Sequence, residues 1–225
     1  MPILLSKASK MPGKSWSLQA GDTCPGSINP LTKEVIEVCA DCYAKSGFYR
    51  MDNVKAPRLS NRKDWKRIDW ADDMVAALDN ERWFRWFDSG DIYTAALAQK
   101  IYEVARRTPW CNHWIPSKSY NIPKIRYWLD RLRELPNVSV RFSSPSTHGE
   151  YTSEHGSVVV QSVTDTIQNG KMCDAYTRGG KCGPCRACWD SSINLVVYPL
   201  HTPKKKINLV VNRVQTVTST ASKVA

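Results

Sequence analysis

The residues most able to do chemistry are four cysteines toward the C-terminal end of the chain: Cys173, Cys182, Cys185 and Cys188. The last three are separated by two residues each, so one short turn can direct three thiolates to a common point. Ferredoxin-type ligation of a [4Fe–4S] cluster uses such a C-x2-C-x2-C run with a more distant cysteine. Zinc is the alternative metal, because tetrahedral four-cysteine sites also use C-x2-C pairs. The spacing favours an iron–sulfur cluster over zinc, and over cysteines that are merely packed or disulfide-bonded.

A second group, Cys24, Cys39 and Cys42, has the spacing C-x14-C-x2-C and is followed at once by Tyr43. Three thiolates leave one ligand position vacant, which is how catalytic metal sites differ from structural ones. The alternatives are a zinc or iron site closed by a carboxylate or histidine, plain buried thiols, or one cluster with ligands from both groups. Cys111 stands alone and is expected to be a small buried hydrophobe.

The bulk composition indicates a folded domain. The chain has 225 residues, of which 42% are apolar, and nine are tryptophan. Such a composition supports a hydrophobic core rather than disorder. We predict one barrel-like domain over residues 1–212, with an N-terminal cysteine loop at 21–46 and a C-terminal cysteine loop at 171–190. Residues 213–225 are expected to form a polar tail.

The sequence contains no apolar stretch that predicts export or membrane insertion. Its N-terminal apolar run, residues 3–5, is too short for a signal peptide, and no window approaches a membrane span. We therefore expect no membrane partner and a reducing, cytoplasmic setting. In that setting clustered cysteines are more often metal ligands than disulfides.

The chain is basic, with a formal net charge of +11 from 32 basic and 21 acidic residues. Such a charge is compatible with nucleic acid, with a phosphorylated small molecule, or with a solvated basic surface. Basic residues concentrate at 55–67 and at 204–206, and Trp65 and Trp70 could stack on bases. The plainer interpretation of 55–67 is an exposed loop.

Short apolar runs alternate with helical patterns, which is typical of βα units and a parallel sheet. Strands are predicted at 16–18, 83–87, 113–116, 138–142, 158–161, 195–198 and 207–211. Helices are predicted at 72–81, 91–107 and 123–135. This order predicts an α/β fold, a partial or distorted (βα)6 TIM-like barrel with cysteine-rich metal-binding loops.

Polar residues follow the predicted strands at the end where barrels carry their sites. Ser89, Gly90 and Asp91 follow the second strand, and Lys118 follows the third. Asp91 could bind a ligand amine, or it could cap the following helix. Lys118 could meet an anion such as phosphate or carboxylate, or it could lie at the surface.

The run from Cys39 to Tyr43 resembles the cluster loop of radical S-adenosylmethionine (SAM) enzymes, which commonly ends C-x2-C-Y. The resemblance implies a partial (βα)6 barrel, with one iron left open for the amino and carboxyl groups of SAM. It implies that residues 89–91 occupy the place of the motif that holds the SAM amino group. It also implies an additional cluster at the C-terminal cysteines. Departures are the fourteen-residue first spacing, where the family has three, and Ser-Gly-Asp in place of Gly-Gly-Glu.

The chain looks most like small bacteriophage-encoded proteins that share the C…CxxCYA and SGD arrangement, which implies the host cytoplasm as its location. We expect a protein with one or two [4Fe–4S] clusters that acts as a redox or radical enzyme, with a small-molecule substrate or an electron donor as partner. The alternatives are a non-catalytic cluster-bearing redox or regulatory protein and a zinc-stabilised nucleic-acid binder. No Walker, dinucleotide or G-x-S-x-G motif occurs, so hydrolase and nucleotide-motor functions find no support.

Overall fold

The computed structural model describes residues 3–200. The predicted strand at 207–211, the basic run at 204–206 and the polar tail lie outside the described residues. The described strands are β1 (Ser15–Trp16), β2 (Trp83–Trp86), β3 (Asn112–Ser117), β4 (Val138–Phe142), β5 (Ser157–Val160), β6 (Gly170–Met172) and β7 (Leu195–Pro199). The described α-helices are α1 (Glu37–Ala40), α2 (Asp52–Asp64), α3 (Trp70–Ala77), α4 (Ala95–Arg107) and α5 (Pro123–Arg133).

The strands form two parallel sheets. The first has the order β1-β2-β3-β4 and the second the order β5-β7-β6. A single parallel bridge, between Ser143 and Ser157, joins the end of β4 to the start of β5. In the described part of the chain no ladder pairs β1 with a strand of the second sheet. The α/β class and the parallel sheets confirm the sequence-based prediction at that level.

Helices α3, α4 and α5 cover one face of the first sheet. In α4 the apolar residues Leu97, Ile101 and Val104 recur at helical spacing and are fully buried. The helix begins at Ala95 because Thr94 caps it, with Oγ1 accepting a hydrogen bond from the backbone N–H of Leu97 at 3.2 Å. The sequence pattern placed the start at residue 91, four residues too early.

The opposite face of the first sheet is covered by the C-terminal cysteine segment. Side chains alternate along a strand, so Trp114 of β3 points away from the helices. It packs in a cluster with Met11 and Trp189, and the Trp189 Nε1 donates a 2.8 Å hydrogen bond to the Phe84 carbonyl of β2. The first sheet therefore lies between a helical layer and a cysteine-bearing layer.

Helix α2 corrects the prediction of an exposed basic loop at 55–67. Its polar composition and internal Pro57 conceal the helical period in the sequence. Trp65 and Trp70 are 6% and 0% exposed, so neither can stack on nucleic-acid bases. They belong to the core, and the predicted role in base stacking is wrong.

His113 lies in β3, and its side chain is fully buried. Its Nδ1 accepts a 3.1 Å hydrogen bond from Trp86 Nε1, which leaves the proton on Nε2, 2.8 Å from Thr108 Oγ1. Burial lowers the pKa of His113 to about 3. The folded protein therefore holds this histidine neutral where an unfolded chain would protonate it.

This difference predicts acid sensitivity. Below the unfolded pKa of 6.5 the unfolded chain binds a proton at this histidine and the folded chain does not. The free energy of unfolding therefore decreases as the pH is lowered. By pH 5 the loss attributable to His113 is expected to be about 2 kcal/mol in the free energy of unfolding. Urea unfolding at pH 7 and pH 5, for the wild type and His113→Gln, measures it. An equal pH dependence of the two proteins would contradict this assignment.

No helix within residues 3–200 combines the length and the apolar character needed to cross a membrane.

Candidate metal centres

The N-terminal cysteine loop, residues 21–46, crosses the carboxyl ends of the first sheet. Gly26 presses against the loop after β3: a Cβ added there would lie 2.0 Å from the carbonyl oxygen of Lys118. Val38 reaches the loop after β4, where its N–H donates to the Pro145 carbonyl at 3.1 Å. These close backbone contacts place the loop over the edge at which barrel-like folds carry their sites.

The loop brings Cys24, Cys39 and Cys42 into one neighbourhood, and each is partly buried. Burial raises the pKa of Cys24 to about 12, with smaller contributions from the Asp91 carboxylate and from the other two thiols. Burial also raises the pKa of Cys39, which the nearby Lys118 ammonium opposes. The predicted residues from three separate segments of the chain therefore converge.

The raised pKa values of Cys24 and Cys39 argue against nucleophiles. A nucleophilic cysteine has a lowered pKa, because the thiolate is the reactive form. Cys24 is a thiol at neutral pH in this environment. A bound metal would supply the positive charge that deprotonates it. The electrostatics of Cys24 and Cys39 therefore fit buried thiols or metal ligands better than catalytic nucleophiles.

Residues 89–91 pack against the segment that directly precedes Cys24, in particular against Thr23. Gly90 has φ +74°, and a Cβ added to it would lie 2.6 Å from the hydroxyl oxygen of Thr23. Asp91 donates its backbone N–H to the Thr23 carbonyl at 3.0 Å. Ser89 is buried, and its hydroxyl donates to the Leu18 carbonyl at 2.7 Å. Only glycine fits the middle position of this motif.

The Asp91 carboxylate joins the loops that follow β2 and β3. One oxygen accepts the N–H of Ile92 and the other the N–H of Lys118, each at 2.7 Å. Its role as a helix cap is wrong, since Thr94 caps α4. Burial raises the pKa of Asp91. The Ser117 side chain also bonds to this carboxylate. A carboxylate has about four lone-pair sites, so about one remains for a ligand amine.

A buried ion pair beneath this motif is a feature that the sequence analysis missed. Arg58 of α2 lies 3.1 Å from the Asp88 carboxylate, and both side chains are buried. Tyr43, the residue after Cys42, donates its hydroxyl to the Asp88 carbonyl at 2.8 Å. The only sequence signal was the position of Asp88 directly before residues 89–91. The ion pair joins α2 to the segment after β2, and the Tyr43 hydrogen bond joins the cysteine loop to the same residue.

The four C-terminal cysteines line one small cavity, together with Arg178 and Trp189 among others. Cys173 directly follows β6, a three-residue strand that the sequence did not predict. Its N–H donates to the Val197 carbonyl of β7 at 2.8 Å, and that of Cys182 donates to the Lys10 carbonyl at 2.9 Å. Chain segments distant in sequence therefore shape the cavity.

Cys188 is the most deeply enclosed thiol of this group. Its Sγ lies 3.1 Å from the Tyr198 hydroxyl, and burial raises the pKa of Cys188 to about 11. Burial also raises the pKa of Cys182. Within residues 3–200 no three cysteine, histidine or acidic side chains already stand in a metal-binding arrangement. The thiols share a cavity without converging on one point.

Comparison with protein families gives one match. The family model for gene product 88 covers residues 3–191. The chain belongs to the gene product 88 family. Comparisons with curated proteins and with solved structures found no match. The range that matches the gene product 88 family includes both cysteine groups and residues 89–91.

In this member of the gene product 88 family, Arg141 of β4 holds the C-terminal cysteine loop. The side chain is 2% exposed, and its guanidinium donates five hydrogen bonds, all to backbone carbonyls. The acceptors are Cys188 (3.0 Å), Gly156 (3.1 Å), Ile193 (2.9 Å), Ala187 (2.6 Å) and Asp190 (2.7 Å). Among the described residues no carboxylate forms an ion pair with this charge, and the Asp190 carboxylate and the Cys188 thiol are near enough to interact with it. Nothing in the sequence pattern indicated this residue.

Proposed function

We propose that the chain is an iron–sulfur protein with one [4Fe–4S] cluster at the C-terminal cysteines and a second at the N-terminal trio. The observation that carries the proposal is the cavity lined by Cys173, Cys182, Cys185 and Cys188. Its four thiols lie in the segment that directly follows β6, and each is partly buried. Four thiolates complete the ligand set of a cubane cluster.

The surroundings of Cys188 favour a cluster over zinc. Hydrogen bonds to sulfur and nearby positive charge are the means by which a protein sets a cluster's reduction potential. The Tyr198 hydroxyl contacts the sulfur, and the Arg141 guanidinium of β4 donates to the Cys188 carbonyl. Zinc in a four-cysteine site remains the alternative metal.

For the N-terminal trio we propose a radical-SAM-like site in a partial (βα)6 barrel. The support is the parallel sheets, the bridge from β4 to β5, and the position of the trio at the carboxyl ends of the strands. When bound, a reduced cluster supplies an electron for reductive cleavage of SAM. The remaining lone pair of Asp91 would accept a hydrogen bond from a ligand amine, and the Lys118 ammonium would meet a carboxylate.

A non-catalytic redox or regulatory protein is the second candidate, since the C-terminal site has four thiols and no vacant position. The zinc-stabilised nucleic-acid binder retains only the net charge of +11 in its favour, because Trp65 and Trp70 are buried. A location in the host cytoplasm and an external electron donor follow from the same proposal.

Anaerobic purification followed by iron and sulfide analysis tests the cluster proposal. We expect about eight iron and eight sulfide per chain if both sites hold cubane clusters. A colourless protein with zinc and no sulfide would contradict it. Incubation with SAM and dithionite then tests the enzyme: 5′-deoxyadenosine is the expected product. If neither 5′-deoxyadenosine nor SAM binding is observed, the radical reaction is ruled out and the cluster proposal remains.

A further inference from the structure

Arg85 of β2 places a positive charge between the two cysteine groups. Its guanidinium stacks on Trp114, 4.4 Å from the ring centroid, on the sheet face that the C-terminal cysteine segment covers. The residue as a whole is partly exposed, while its Nε is buried. Sequence patterns do not indicate Arg85 as a binding residue, because it lies between the aromatic residues of β2.

The hydrogen-bonding capacity of Arg85 is almost unused. Within residues 3–200 its one hydrogen bond runs from Nη1 to the sulfur of Met11 at 3.8 Å, which is weak. Its Nε is buried and has no acceptor. No carboxylate in the same part of the chain forms an ion pair with it, whereas the Arg58 guanidinium is paired with Asp88.

Before a metal binds, the neighbours of Arg85 supply no free anion; the Cys188 thiol interacts with Arg85 and becomes anionic only as a metal ligand. Asp88 lies toward the N-terminal cysteine loop, and it is already paired with Arg58. Tyr49 and Tyr198 are also close, and a tyrosine hydroxyl carries no charge at neutral pH. A partly buried guanidinium without a counter-charge is costly unless an anion joins it.

We propose that Arg85 binds an oxyanion, a carboxylate or a phosphate, of a small molecule that lies between the two cysteine groups. The planar guanidinium fork matches the paired oxygens of either group. The position beside the clusters rests on the proposed function, but the anion site itself depends only on Arg85. The substrate of the proposed enzyme would then be an anionic small molecule.

Acetate and phosphate are the probes, titrated into the anaerobically purified full chain at constant ionic strength set with chloride. Isothermal calorimetry measures affinity for the wild type, Arg85→Met, Arg85→Lys and the exposed control Arg82→Gln. We expect one probe to bind the wild type and Arg82→Gln equally, and to bind Arg85→Met about tenfold or more weakly. The stronger probe tells a carboxylate from a phosphate site. Arg85→Lys should be intermediate, and it decides the test if Arg85→Met does not fold.

Equal affinity in the wild type and the Arg85 variants would overturn the proposal, as would no binding of either probe. A shifted cluster reduction potential in Arg85→Met with unchanged anion affinity would also overturn it, because Arg85 would then serve the cluster alone. Iron and sulfide counts on the same preparations report on the proposed function separately. If the wild type contains iron and sulfide but binds neither probe, only the anion site fails. If it binds a probe but contains no iron, only the cluster proposal fails.

Discussion

Replacing Cys182 and Cys185 together with serine is expected to lower the iron and sulfide content from about eight to about four per chain. Both thiols line the C-terminal cavity, and the two that remain cannot hold a cubane cluster. The N-terminal trio lies at the carboxyl edge of the first sheet and should keep its own cluster. Iron and sulfide analysis with electron paramagnetic resonance of the reduced protein measures the loss.

Cys111→Ala is the matched control for this experiment. Cys111 is fully buried in the main core and shares a cavity with neither cysteine group. Its removal should leave both clusters and their spectra intact. An equal loss of iron in Cys111→Ala, or full iron content in the double serine variant, would show that the C-terminal cysteines are not the ligands.

Arg141→Met is expected to be the most destabilising single change outside the cysteines. It removes the side-chain donor from five backbone carbonyls in a buried region. The Gly156, Ala187 and Asp190 carbonyls also accept a backbone N–H, so the Cys188 and Ile193 carbonyls bear most of the desolvation cost. We expect a total loss on the order of 4 kcal/mol from the lost hydrogen bonds and the unsatisfied acceptors. Because these carbonyls belong largely to the C-terminal loop, iron content should fall together with the thermal midpoint.

Two variants separate the geometry of Arg141 from its charge. Arg141→Lys keeps the charge but cannot reach five acceptors, so we expect an intermediate midpoint and partial iron loss. Arg106→Gln removes an exposed guanidinium that pairs with Glu103 on α4, and it should cost less than about 1 kcal/mol. If Arg141→Met melts with the wild type, the carbonyl contacts do not support the loop.

The parts of the candidate sites that the sequence predicted are those that depend on residues close together in the chain. The C-x2-C-x2-C run places three thiols in one turn, and residues 89–91 follow a recognisable strand. Helix α5 and strand β4 have clear apolar periods, and β4 has the predicted bounds. Local patterns therefore located both cysteine groups and the edge of the sheet that one of them covers.

The missed features depend on contacts between distant segments. Arg141 looks like any basic residue of an alternating strand until residues 187–193 fold around it. Strand β6 is three residues long and carries no period, and it pairs on the far side of β7. Helix α2 hides its buried face, which includes Arg58, behind a polar composition. Their signals lie in long-range pairing that one sequence does not display.

The contacts of the N-terminal cysteine loop have a consequence for synthesis on the ribosome. Cys24, Cys39 and Cys42 emerge early, but Gly26 packs on the backbone of Lys118 and Val38 bonds to Pro145. The second group is synthesised later still, and its Cys182 then bonds back to Lys10. Neither cysteine group can therefore be in place on a half-made chain, and the proposed clusters would be assembled on a polypeptide that is nearly complete.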